Sequence, residues 1–190
     1  MALIRSNASN DHKLDGVRNP EGIWINTSYF REEAINFMKT GIYCPDPPGT
    51  PSYMEYWLEQ RKRCIEGYTV GGVHITGHHY NYLNFSPIMS LEEADNTKKI
   101  GKKKIQLPDF WDGDYNFFHA LDIARYGMTV DEYKALQLHI SIDPLYLDGG
   151  YNMGVGKARR KGYSYKNSAI CSNTYNTDPN SLTIIGAFEK

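Results

Sequence analysis

Apolar residues recur at helical spacing in the first third of the chain. Phe30, Ala34, Phe37 and Met38 share one face of residues 28–39, and Gly41 supplies a stop. After the breaker Cys44-Pro45-Asp46-Pro47-Pro48-Gly49, Ser52-Tyr53-Met54-Glu55 has the form of a capping box. It opens a helix running to Glu66, striped by Met54, Trp57, Leu58 and Ile65. The period then shortens. Val73 and Ile75 alternate, Gly77 marks a turn, and Tyr80, Tyr82 and Phe85 continue the pattern, so residues 70–88 read as a β-hairpin. Helical spacing returns at residues 114–126, with Phe117, Phe118, Leu121 and Ala124 inward and Gly127 as the stop. Thr129-Val130-Asp131-Glu132 is a second capping box, opening a short helix to about His139.

The last part of the chain changes character. Residues 141–150 are punctuated by Pro and Gly, and a short strand-like run follows. The glycine-rich basic string Lys157-Ala158-Arg159-Arg160-Lys161-Gly162-Tyr163-Ser164 comes next. Residues 164–176 form a helix, residues 177–181 a turn, and residues 182–188 an apolar strand. Strand, basic glycine loop, helix and strand make the context in which loop amides and a helix N-terminus cradle phosphate. The usual pattern is G-x-x-x-x-G-K-[ST]. Gly162 and Ser164 stand where the second Gly and the Mg²⁺-binding hydroxyl belong. Tyr163 takes the Lys position, and Lys157 takes that of the first Gly. A loop that curls round phosphates brings both of its ends close to the ligand. A lysine at the first position, Lys157, can therefore reach the phosphates from the opposite end and supply the same charge.

That arrangement, Lys157 first and Gly162-Tyr163-Ser164 last, resembles the deviant Walker A loop of tailed-phage terminase large subunits, the ATP-driven motors of viral DNA packaging. The stretch Gly77-His78-His79-Tyr80-Asn81-Tyr82-Leu83-Asn84 is similar to one ahead of the motor core in that family. The resemblance implies an α/β fold: an incomplete P-loop NTPase core (105–190), behind a mostly helical region with one hairpin (1–104). It implies ATP and Mg²⁺ as ligands. Lys157 would neutralise the β/γ-phosphates, Arg159 would act as an arginine finger in cis, and Ser164 would ligate Mg²⁺. Arg160 and Lys161 would face phosphate, a neighbouring subunit or solvent. Gln106, Phe110 and Trp111 match the segment that frames adenine, or else the aromatics are core. Double-stranded DNA, portal protein and the small terminase subunit are the implied partners, in a homo-oligomeric ring in the host cytoplasm.

Composition narrows the alternatives. The 190 residues are 41% hydrophobic and 23% charged, with 15 tyrosines and a net charge of −1. Nothing global draws such a chain to nucleic acid, so attraction would be local. Five lysines crowd residues 98–104. With those of residues 157–166 they give the rival reading, a non-enzymatic nucleic-acid-binding module. Cys44, Cys64 and Cys171 are widely spaced and suit a reducing compartment. His74, His78 and His79 cluster, but as strand neighbours His78 and His79 would point to opposite faces, and no carboxylate or Cys completes a metal set. The polar residues 1–22 read as a loose lead-in. No apolar run followed by Asp-Glu lies after the loop. The expectation is therefore an N-terminal part of a longer protein, stopping before its Walker B strand and nuclease, that does not turn over ATP alone.

Overall fold

A computed structural model of the chain describes residues 12–91, 103–138, 140–155 and 162–182. It is a mixed α/β structure. Helices α1 (Glu32–Thr40), α2 (Pro51–Glu66), α3 (Gly77–Phe85), α4 (Asp112–Tyr126), α5 (Val130–Ala135) and α6 (Tyr163–Thr177) provide its mass. Three two-stranded antiparallel ribbons decorate them: β1 (Gly16–Arg18) with β2 (Trp24–Asn26), β3 (Tyr68–Val70) with β4 (Val73–Ile75), and β5 (Ile88–Leu91) with β6 (Lys103–Gln106). No helix among the described residues is long and apolar enough to cross a membrane.

α3 lies at the centre and corrects the sequence reading most sharply. The hairpin expected over 70–88 ends at Ile75; its turn is Gly71-Gly72, both at positive φ (54° and 82°), rather than Gly77. What was expected to be the return strand is helical. Thr76 caps it by accepting from the His79 amide at 3.3 Å, and seven of its nine residues are buried. A helix enclosed on every side carries no polar stripe, so tyrosines at alternate positions imitate a strand. Gly77 instead permits close packing, since a Cβ there would lie 2.3 Å from the Cys64 carbonyl oxygen at the end of α2.

Two further expectations change, one at a helix start and one at the beginning of the described chain. Thr50, not Ser52, caps α2, accepting from the Tyr53 amide at 3.3 Å with Pro51 in the first turn. Residues 12–22 are not loose. β1 pairs with β2, the Leu14 amide donates to the Phe110 carbonyl at 2.8 Å, and Lys13 bridges to Trp111. The Thr129–Glu132 capping box is present, though α5 ends at Ala135.

The main core joins Phe30, Val73, Ile75, Tyr80, Leu83, Phe110 and Tyr115. Asn84, fully buried, ties α3 to the start of α1: its Nδ2 donates to the Phe30 carbonyl at 2.9 Å, and its Oδ1 accepts from the Ala34 amide at 3.0 Å. A second polar chain runs from Arg63 to the Tyr80 hydroxyl (3.3 Å), on to Gln60 (2.6 Å) and to Glu33 (3.1 Å). Tyr82, Phe117, Phe118 and Ala169 form another cluster, which seats α6 on α3 and α4.

Candidate functional site

The basic loop leads into α6. Gly162 occupies the cap position in the left-handed region (φ 69°, ψ 7°), a conformation that glycine adopts without steric cost. Its carbonyl accepts from the Tyr165 and Lys166 amides at 3.0 and 3.2 Å. Gly162 has no side chain with which to cap this end, and the first turn holds no acid. A 15-residue helix thus presents its positive end without an internal carboxylate to neutralise it. Ser164 lies exposed in that first turn.

The first turn is fastened from beneath. Lys166, 4% exposed, forms an ion pair with Asp114 in the first turn of α4. Its ammonium lies over the Tyr163 ring at 4.3 Å and near the Phe117 ring at 5.6 Å, and those rings meet edge-on with centroids 5.1 Å apart. A buried ammonium survives only with such compensation. The pair therefore brings the starts of α4 and α6 together. Trp111, at the cap position of α4 and 38% exposed, stands on the α4 side of this junction.

Lys157, Arg159, Arg160 and Lys161 lie outside the described residues, as do the lysines of 98–102 and all of the expected last strand but Leu182. Gly162, Tyr163 and Ser164 lie at the start of α6. The strand expected before the loop is absent from 151–155; the Tyr151 amide donates instead to the Ala124 carbonyl at the end of α4, at 2.8 Å. Gln106 is half-buried on β6 opposite Ile88. Phe110 is 1% exposed and packs against Phe30 and His79, so it is a core ring with no face left for a ligand. Lys166 and Asp114 were missed by the sequence reading. The available signal was a lysine at the position where α6 should have an apolar residue, three before Ala169 and seven before Asn173 on the buried face.

The histidines divide between two environments. His79 is wholly buried, stacked on Phe118 at 5.0 Å, and neither ring nitrogen has a hydrogen-bond partner. Burial first, then the nearby His119 and Lys166 charges, hold its pKa well below the ordinary value. His119, 1% exposed, donates through Nε2 to the His74 carbonyl at 3.1 Å; burial pulls it down to about 3. His78 is on another face of α3, in a cleft with Arg125 and Asn173, and burial with Arg125 brings it to about 4. As helical neighbours His78 and His79 diverge, much as they would in a strand. Among the described residues no group of three or more His, Cys, Asp or Glu is placed to hold a metal ion.

No family model, curated protein or solved structure matches the chain.

Proposed function

We propose that the chain is the N-terminal part of a terminase large subunit of the tailed-phage type, and that it binds ATP·Mg²⁺ where the basic loop enters α6. The observation that carries this reading is the α6 start: left-handed Gly162, no acid in the first turn, and Lys166 turned inward to Asp114. Such an end attracts an anion through its amides and dipole. With Lys166 neutralised inside, the charge facing a polyphosphate comes from the loop itself, where Lys157 would meet the β/γ-phosphates and Arg159 the charge that grows in transfer. Arg160 and Lys161 would add to the same positive field, and the Ser164 hydroxyl, on the exposed side of the first turn, would take the Mg²⁺. Of the three residues matched to the adenine-framing segment, Trp111 and Gln106 keep accessible surface and Phe110 does not. In the whole motor this binding would power movement of double-stranded DNA, with the portal and small subunit as partners.

The test is ATP binding by the full chain, measured by equilibrium dialysis with and without Mg²⁺. Weak, Mg²⁺-dependent binding that falls tenfold or more in Lys157→Ala, with an unchanged melting curve, is the expected result. Equal binding by Lys157→Ala would overturn the assignment. A second reading, nucleic-acid binding without catalysis, draws on the β5–β6 ribbon, where Lys103 and Lys104 are exposed and Ile105 is 70% exposed. Binding that follows ionic strength and ignores Mg²⁺ would favour it.

A further inference from the structure

The opposite end of α6 closes a polar cleft of about 140 Å³. At 1.5 Å per residue its α6 lining, Asn173 to Asp178, lies roughly 16–24 Å along the helix from Gly162, so the cleft is separate from the proposed phosphate site. Its walls are the ends of α2, α4 and α6 and the start of α3.

Its hydrogen bonds do not balance. Asn173, 3% exposed, donates through Nδ2 to the Cys64 carbonyl at 2.8 Å, which fixes the orientation of its amide. The same Nδ2 is 3.1 Å from His78 Nδ1, so that ring nitrogen must accept. A neutral imidazole has one lone pair and one N–H; the N–H is therefore on Nε2. But Nε2 is 3.2 Å from Arg125 Nη1, which is also a donor and cannot deprotonate. Protonating His78 would only add to the conflict. Two donors face each other at the cleft, and an acceptor oxygen inserted beside them satisfies both.

The surroundings decide what kind of acceptor fits. Asp122 and Asp178 line the cleft, and three helix C-termini add negative partial charge. A carboxylate or phosphate would be repelled, whereas a neutral carbonyl would not. Asp122 is itself an acceptor and calls for N–H donors on the same ligand. Burial raises its carboxyl to about 6, with Arg125 limiting the rise, so at pH 7.5 it is ionised. Tyr126, 70% exposed, lies at the rim with the Arg125 guanidinium 5.0 Å from its ring centroid, a platform for a planar group.

We propose that this cleft binds the lactam edge of a planar heterocycle, a C=O beside N–H as guanine or uracil presents. The carbonyl would accept from Arg125 and His78 Nε2–H, the ring N–H would donate to Asp122, and the ring would rest against Tyr126. The base would come from a free nucleoside or from an unpaired strand.

Titration of the full chain with guanosine, uridine and adenosine, read from the ¹⁵N signals of the His78 ring, tests this. Guanosine or uridine should shift Nε2 saturably, and adenosine, which lacks the lactam N–H, should bind at least tenfold more weakly. Asp122→Asn, close to isosteric and at a half-buried position, should lower lactam affinity tenfold or more while melting no lower than the parent, since it removes a carboxylate that burial disfavours. Arg125→Met should do the same from the carbonyl side. Tighter binding of a short oligouridylate than of uridine identifies a strand as the source of the base; equal binding identifies the nucleoside. The proposal fails if no lactam nucleoside shifts His78 in the millimolar range, if adenosine binds as well, or if Asp122→Asn leaves affinity unchanged.

Discussion

Lys166 and His79 are both polar side chains sealed in the same aromatic core, yet the protein handles them in opposite ways. Lys166 keeps its charge, and Asp114 with two ring faces replaces its water. His79 has no partner for either nitrogen and persists only as the neutral ring, stacked on Phe118. The difference shows where each cost falls. A paired charge is safe until one partner is lost, while an unpaired neutral group carries its desolvation cost continuously and becomes worse as protons become available. The paired site is at the junction expected to hold α6 for an anion. The unpaired one is behind it, close enough for the Lys166 charge to oppose its protonation.

Breaking the pair gives the largest expected effect. Lys166→Met removes the buried cation that Asp114 pairs with and should cost about 3–5 kcal/mol in urea unfolding. Adding Asp114→Asn to it removes the other charge of the pair and should recover part of that loss. If the double variant is no more stable than the single, the ion pair is not what holds α4 to α6.

Acid tests the other side. His79, His119, His78 and His74 all have folded pKa values below the ordinary 6.5, with His78 near 4 and His119 near 3. The unfolded chain therefore takes up more protons than the folded one below pH 6.5, and stability falls as pH drops from 6.5 toward 3. Asp122, raised to about 6, works the opposite way between its ordinary value and 6, and offsets part of the loss. Each ring held neutral by burial contributes up to about 1.4 kcal/mol per pH unit below 6.5, so a net loss of several kcal/mol between pH 7 and pH 4 is expected, with little change from 7 to 8. Thermal melting across that range checks it; a flat profile would mean that these rings are not buried neutral.

Removing the unpaired group should help. His79→Leu takes away a polar ring that bonds to nothing while filling a similar volume. It should stabilise the fold by about 1–2 kcal/mol and flatten the acid limb. Destabilisation instead would show that His79 has a partner, such as an enclosed water.

These two sites were not equally visible in the sequence. The Thr129 capping box could be read because it is local, but the stripe expected on α2 was not the buried face: Met54, Leu58 and Ile65 lie exposed, and Gln60 and Cys64 are buried instead. Gly162-Tyr163-Ser164 was visible as a motif, and the structure does open a helix there. α3 was hidden, because burial on every side erased the alternation that distinguishes a helix from a strand. The Lys166–Asp114 pair was hidden for a different reason. Its members are 52 positions apart, and either one alone reads as a solvated charge. Phe110 was legible as an aromatic near a functional segment, but whether its face is free depends on His79 and Phe30, which arrive from other elements.

The smallest effect concerns Tyr163, which stands at the motif's lysine position but in the structure supports Lys166 from above. Its ring centroid is 4.3 Å from the ammonium, so its π face contributes to the pair. Tyr163→Phe keeps that face and should change stability by no more than about 0.5 kcal/mol. Tyr163→Leu keeps bulk but loses the quadrupole and should cost about 1 kcal/mol. The same pair of variants bears on the phosphate reading, because no charge is lost in either. ATP binding should be indifferent to Tyr163→Phe and weaken only slightly in Tyr163→Leu, through the loosened α6 start. If Tyr163→Phe lowers stability as much as Tyr163→Leu does, the hydroxyl and not the ring is what matters, and the cation–π account of how Lys166 stays charged would have to be abandoned.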